Sequence, residues 1–341
     1  MRRMPAEWEQ HGAVLLAMPH AQSDWAYMLP EVTECYRNVI RAISRTDKVI
    51  LVTPDKTDTC KVLQDVINDN VVIVEIPTND TWARDFGPLT VDIDGQLHLL
   101  DFQFNGWGLK FAACKDNLVT LRMAESAMFT VPVENHRGFV LEGGSVESDG
   151  RGLILTTSEC LLSPNRNAEM TRADIEAYLA DALGAKKVLW LDYGALEGDD
   201  TDSHIDTLCR LAPNGVILYT GTARTDDSHY ACLADMRKQL ETFTDIEGHP
   251  FSLIELPLPD AVYDKETGER LPATYANYLV LEGRILLPSY NQPLNDRLAA
   301  DTLRVAYPDH EIELIDCRAL IRQHGSLHCI TMQLPINALN L

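Results

Sequence analysis

DGRGLILTT, residues 149–157, puts an Asp-Gly turn ahead of a short apolar run, and so reads as the second strand of a hairpin. RADIEAYLADALG (172–184) follows after a loop. Its Ile175, Tyr178, Leu179, Ala182 and Leu183 fall at i, i+3, i+4, i+7 and i+8, one apolar helical stripe, and Gly184 supplies a C-terminal stop. KKVLWLD (186–192) is then a further strand. Hairpin, helix and strand form one unit.

The unit recurs. Glycines head short apolar strands in HGAVLLAMP (11–19), DGQLHLLDF (94–102), NGVILYTG (214–221) and EGRILLPSY (282–290), so that Gly12, Gly95, Gly150, Gly215 and Gly283 are spaced by 83, 55, 65 and 68 residues. Between them, EVTECYRNVIRAIS precedes KVILVT, NLVTLRMAESAMF precedes a short strand TVPV (130–133), YACLADMRKQLETF precedes FSLIELP, and NDRLAADTLRVAY precedes EIELID. An additional helix–strand pair, CKVLQDVI (60–67) and VVIVEI, accounts for the long first interval. No Pro/Gly/Ser-rich linker separates the units, so residues 1–341 are expected to form one closed radial domain. The first unit lacks half its hairpin. The last strand, CITMQLPI (329–336), is expected to supply it by closing onto the N-terminus. An ordinary layered α/β sheet has the same element types without the glycine register, and that register favours the closed array.

Composition narrows the partners. Twenty-nine basic against 51 acidic residues give a net charge of −22, which argues against nucleic acid and anionic membrane surfaces. Such a balance serves solubility, and it also sets up a field that attracts cations. Eight cysteines (35, 60, 114, 160, 209, 232, 317 and 329) are scattered without a CxxC, unlike a zinc site or a small disulfide scaffold. The apolar run near the start is interrupted by Glu7 and Glu9, and no stretch approaches a membrane span. A reducing cytoplasm is the expected setting.

In a closed array the loops between one unit's last strand and the next hairpin meet near one axis. Four successive loops carry Asp85 (ten residues before Gly95), Glu142 (eight before Gly150), His204 with Asp206 (the latter nine before Gly215), and Cys329 ahead of the closing strand. Each alone has an ordinary reading: a salt bridge for Asp85, turn hydrogen bonds for Glu142, a shared strand face for His–x–Asp, packing for the cysteine. Their common register points to a site. A cysteine nucleophile works as thiolate, whose ordinary pKa is about 8.5, and histidine serves as acid and base. Several carboxylates beside them would raise the thiol pKa unless a cation sits among them. A planar guanidinium is the cation that paired carboxylates hold best. Metal competes for Asp, His and Cys, but the mixed-hardness set without a compact HxH or CxxC makes it the weaker reading. His328, next to Cys329, is read as facing away, since adjacent strand residues point to opposite faces.

These residues lie in the motifs MPAEWEQHGAVLLAMPH, NDTWARDFGP, FQFNGWG, LEGGS, TTSECLLSPNRN, GDDTDSHIDT, LPATYANY and GSLHCIT, in that order along nearly the whole chain. With them the sequence resembles the agmatine deiminase family, the bacterial peptidyl-arginine deiminase-like branch of the guanidino-group-modifying superfamily. The resemblance implies a five-bladed α/β propeller (the pentein fold). It also implies hydrolysis of agmatine to N-carbamoylputrescine and ammonia, with neither cofactor nor metal, on a small cationic guanidine in a homodimeric protein. It casts Cys329 as the nucleophile that forms an amidino-thioether, and His204 as the acid for departing ammonia and the base for water. Asp85 and Asp206 would grip the guanidinium, Glu142 would support His204, Asp200 would meet the distal amine, and Trp82 and Trp107 would wall the pocket. The chain departs from the family pattern at Gln323 and His324, where a glycine run is usual, and at Ser203 and Thr207, in place of glycine and asparagine. Those departures leave the exact guanidine open, so that a deiminase of peptidyl-arginine or another guanidine is the alternative. A non-catalytic propeller that binds a macromolecule is a separate rival, against which the full Asp, Glu, His, Asp, Cys set in register argues.

Overall fold

A computed structural model describes residues 1–9 and 12–341; Gln10 and His11 of the N-terminal motif lie outside the described residues. The chain is mixed α/β. Five sheets share one strand pattern, an antiparallel pair whose second strand continues into a parallel pair. Leu89–Ile93 pairs antiparallel with Gln96–Gln103, which pairs parallel with Val133–Val140. The same order holds for Val146–Ser148, Leu153–Thr157 and Lys187–Leu191, and for Cys209–Ala212, Val216–Gly221 and Ser252–Pro257. It holds again for Leu279–Leu281, Arg284–Ser289 and Glu311–Asp316. In the fifth sheet the C-terminal strand Met332–Pro335 pairs antiparallel with Gly12–Ala17, with Met332 opposite Leu15, and Gly12–Ala17 continues in parallel to Lys48–Thr53 and Val71–Glu75.

The parallel partner needs a crossover, and a helix supplies it. Leu29–Ile43, Val119–Glu125, Arg172–Leu183, Tyr230–Leu240 and Pro293–Ala306 fall where the apolar stripes predict them. In the first, Val32, Cys35, Tyr36, Val39, Ile40 and Ile43 are buried at helical spacing. Covered on both faces, the central strand Leu153–Thr157 is buried throughout. Gly184 ends its helix in the left-handed region (φ 73), and a Cβ there would stand 2.1 Å from the Arg2 carbonyl oxygen. No helix among the described residues is long and apolar enough to cross a membrane.

Three local expectations change. The strand expected at 130–133 is instead Val133–Val140, since Pro132 has no N–H for a ladder while the residues after it pair from Leu99 onward. The helix expected at 60–67 is Lys56–Val62, started by the Asp55 side chain, which accepts from the Asp58 amide at 2.8 Å. The closing strand begins at Met332, so Cys329 and His328 occupy a turn spanning 327–330. Strand alternation therefore does not govern His328.

Candidate active site

Each predicted polar residue stands one short turn ahead of the strand that opens a sheet. Asp85 lies in the single turn Ala83–Phe86, Glu142 precedes Gly143–Ser145, His204 is the N-cap of Ile205–Leu208 and Asp206 lies within it. All of them, with Cys329, are buried.

They converge around Gly144. A Cβ there would stand 2.8 Å from His204 Nδ1, 2.9 Å from Asp85 Oδ1 and 3.1 Å from Asp206 Oδ2, so only glycine leaves the three side chains together. The Gly144 amide donates to Asp85 Oδ1 at 3.0 Å, and Trp107 Nε1 donates to Oδ2 at 2.9 Å. His204 Nδ1 lies 3.6 Å from Asp85 Oδ1. Cys329 Sγ is 4.0 Å from Asp206 Oδ2 and 3.4 Å from Asn277 Oδ1.

Glu142 lies close to His204 and is also tied to its loop through Arg166 and Thr201. Both its oxygens accept from Arg166 Nε at 3.0 Å, while Arg166 Nη1 donates to Asp202 Oδ2 at 2.6 Å and Nη2 to the Thr201 carbonyl at 2.8 Å. Thr201 Oγ1 in turn accepts from the His204 amide at 3.0 Å. Ser203, where glycine is usual, has φ 61; its amide donates to Asp199 and its hydroxyl to Glu159. His324, at the other departure, has φ 66 and donates from Nδ1 to the Gly198 carbonyl at 2.7 Å. Both are thus held by side-chain or backbone acceptors in a conformation that glycine takes freely.

The electrostatics follow from burial among carboxylates. Burial, then Asp206 and Asp85, pushes the Cys329 thiol well above its ordinary value. Burial and Asp206 raise Asp85, against the pull of His204. Burial disfavours a charged His204, yet Asp85, Cys160 and Glu142 lift its imidazole to about 10. Burial would raise Asp206 too, but the hydrogen bond and charge of His328, with His204 and Arg210, hold it below the carboxylate range.

One pocket reaches this cluster, lined by Asp85, Cys329, Trp82, Trp107, Asp200 and Phe111, with Asp24 and Asp80 also on its wall. Trp82 packs against Gly325, where a Cβ would come within 2.1 Å of the indole. Trp107 has φ 54, unusual for so bulky a residue, in a turn where Asn105 Oδ1 accepts from the Gly108 amide at 2.9 Å. Burial raises Asp200 to about 6, against His324, and burial likewise raises Asp80 to about 6. A wider groove lies elsewhere, beside Cys35, Tyr263 and Arg322; it contains none of the predicted residues.

Three contributing residues are not marked out individually by the sequence, and a fourth, His328, is oriented otherwise than expected. Asn277 Oδ1 accepts from the amides of His328 (2.8 Å) and Cys329 (3.3 Å), fixing the turn that carries the thiol. It lies just ahead of Leu279–Leu281, the one register position without an assigned residue, so the register itself was the signal. Arg166 and Cys160 lie within TTSECLLSPNRN, but their contacts arise only on folding; His328, expected to face away, instead turns its ring to Asp206. Donor atoms of Glu142, Cys160 and His204 lie within 4.8 Å of one another, as do those of Glu7, Glu147 and His328. Neither group fits a metal well, since Arg166 and Arg210 already supply the cation to their carboxylates.

The sequence model of the Porphyromonas-type peptidyl-arginine deiminase family matches residues 3–335. A curated relative from Vibrio parahaemolyticus, provisionally named an agmatine deiminase, is 33% identical over 350 residues, covering 97% of this chain and 96% of its own. A solved structure from Porphyromonas gingivalis, provisionally named an arginine deiminase, superposes with a TM-score of 0.94 at 44% identity over 100% of both chains. An agmatine deiminase variant of C. jejuni, solved with substrate bound, superposes at 0.92 with 36% identity, over 100% of this chain and 98% of that one.

Proposed function

The chain belongs to the Porphyromonas-type peptidyl-arginine deiminase family, and from that premise we propose that it is a hydrolase of amidine C–N bonds. Agmatine and water become N-carbamoylputrescine and ammonia. The observation that carries this reading is the convergence of Asp85, Asp206 and His204 on Gly144, with the Cys329 thiol beside them at the end of an acid-lined pocket.

The guanidinium enters between Asp85 and Asp206, whose Oδ1 has no hydrogen-bond partner among the described residues. Its positive charge offsets the two carboxylates that disfavour the thiolate, so the Cys329 proton passes to solvent as the cation binds. Sγ then bonds to the guanidinium carbon. His204, protonated at neutral pH, gives its proton to one terminal nitrogen, the C–N bond breaks and ammonia leaves. An amidino-thioether remains on Cys329. Neutral His204 now takes a proton from water as the oxygen bonds to the same carbon. As the C–S bond breaks, the proton left on that oxygen passes to solvent, the C=O forms, and the carbamoyl product leaves with the thiolate restored.

The pocket wall favours agmatine over free arginine. Asp200, Asp80 and Asp24 would draw a distal ammonium and repel an α-carboxylate. The repeated strand order supports reading the five sheets as blades of a propeller. The larger of two buried apolar clusters, which has members in all five sheets (Leu15, Leu99, Ile154, Leu218 and Leu286), supports one domain over residues 1–341.

The test is parallel assay of ammonia and carbamoyl product from agmatine, arginine and an arginyl peptide. Agmatine is expected to be turned over with the highest kcat/KM; no product from it at high enzyme concentration would sink the assignment.

A further inference from the structure

His328 sits where strand alternation put no partner for the site, yet both its ring nitrogens are engaged. Nδ1 donates to Asp206 Oδ2 at 2.7 Å. On the far side, Nε2 is 2.8 Å from Glu7 Oε2 and 3.1 Å from Arg210 Nη2. Glu7 is itself pinned, since its Oε1 accepts from the Val280 amide at 3.0 Å and Oε2 accepts from Arg210. Arg210 is fixed in turn by Glu147 and by the carbonyls of Ala276 (3.0 Å) and Tyr278 (2.6 Å). The ring therefore has one orientation, and that orientation aims a donor at Asp206.

We infer that His328 is a positioning residue for deimination: its Nδ1–H clamps Oδ2 of Asp206, leaving Oδ1 as the free acceptor for the substrate guanidinium. Glu7 and Arg210 hold the clamp. This rests on the reading of Asp206 as a guanidinium carboxylate. The chemistry explains why a clamp is needed. A carboxylate 1% exposed, with Asp85 and a thiol nearby, tends to take up a proton, and protonated Asp206 would no longer attract a cation. A charge-assisted donor on Oδ2 counters that tendency and prevents the carboxylate from rotating. It also spares Oδ1, which has no partner among the described residues. The charged groups around the ring are Asp206, Glu7, Glu147, Arg210 and Arg84, with the Cys329 thiol next in the chain.

Two measurements on the full chain test this. In the unsubstituted protein labelled with nitrogen-15 histidine, a slowly exchanging Nδ1–H resonance, assigned by its loss in His328→Asn, is expected across neutral pH. An unprotonated Nδ1 would overturn the clamp, and this result is independent of any assay of agmatine. In kinetics, His328→Ala should lower kcat/KM for agmatine about ten- to a hundredfold, the worth of a charge-assisted hydrogen bond. Its acid limb should move up by about one pH unit, because Asp206 loses the donor that keeps it ionised. His328→Asn, which keeps an amide N–H near the Nδ1 position, should recover most of the loss and return the limb. Lower activity with an unmoved limb in both variants means a structural role and defeats the proposal. Asp206→Asn run alongside separates the two readings: if it retains activity, the assignment of Asp206 to the guanidinium fails, whatever the resonance shows.

Discussion

His204 Nδ1 stands 3.6 Å from Oδ1 of Asp85, with both side chains buried. The carboxylate keeps a buried imidazole charged, which is the state a general acid for ammonia release requires.

The first prediction is a pH profile. With His204 at about 10, the activity that depends on its proton should persist through neutral pH and fall as pH rises through that value. The same shift works on stability. The folded value lies above the ordinary 6.5, so the contribution is fully present below about 6.5. It is lost as pH rises through about 10. Histidine NMR titration in Asp85→Asn should find His204 titrating at lower pH; an unchanged titration would remove Asp85 as the cause.

Cys329→Ser should abolish turnover, by about 10⁴-fold or more, as loss of a nucleophile does. The swap is nearly isosteric, so thermal unfolding should shift little. Mass spectrometry after treatment with a haloacetamidine should find the adduct on Cys329 in the unsubstituted protein and none at that position in the variant.

Gly144→Ala should be worse for catalysis than for folding. Its Cβ would fall 2.8 Å from His204 Nδ1 and 2.9 Å from Asp85 Oδ1, forcing them apart. A displacement near 1 Å costs roughly a hundredfold in rate. Circular dichroism should show a folded protein whose kcat has dropped by that order; full activity would mean the three side chains need no such approach.

Arg166→Met would strip the buried Glu142 of its cation and Asp202 of a partner. Breaking a buried pair from one side costs about 3–5 kcal/mol. Urea unfolding should register that loss, and the double variant Arg166→Met/Glu142→Gln should recover part of it.

Asp200→Asn should raise KM for agmatine about tenfold or more with kcat little changed, as expected for an ion pair made equally in ground and transition states. In the unsubstituted protein KM should rise as pH falls through about 6, where Asp200 takes up its proton. A KM independent of pH down to 5 would exclude it from ammonium binding.

Much of this protein is written locally. Turn glycines such as Gly95 and Gly283, the stripe from Ile175 to Leu183 and the stop at Gly184 depend on backbone geometry and short-range periodicity, so they show in the bare sequence. The register of loops ahead of each hairpin also identified Asp85, Glu142, His204, Asp206 and Cys329, because repeated units bring equivalent positions to equivalent places.

The sequence by itself therefore determined the unit, its repetition and which loops carry the candidate site residues. Tertiary structure alone decided how those residues are held. Glu7 reaches His328 across 321 positions, and Arg166 ties Glu142 to the loop before His204. Asn277 fixes the turn that carries Cys329, and Gly144 admits three side chains to one point. No local pattern encodes such contacts. They form because a buried charge or polar group must find a partner, and the partner is whichever residue folding brings within reach.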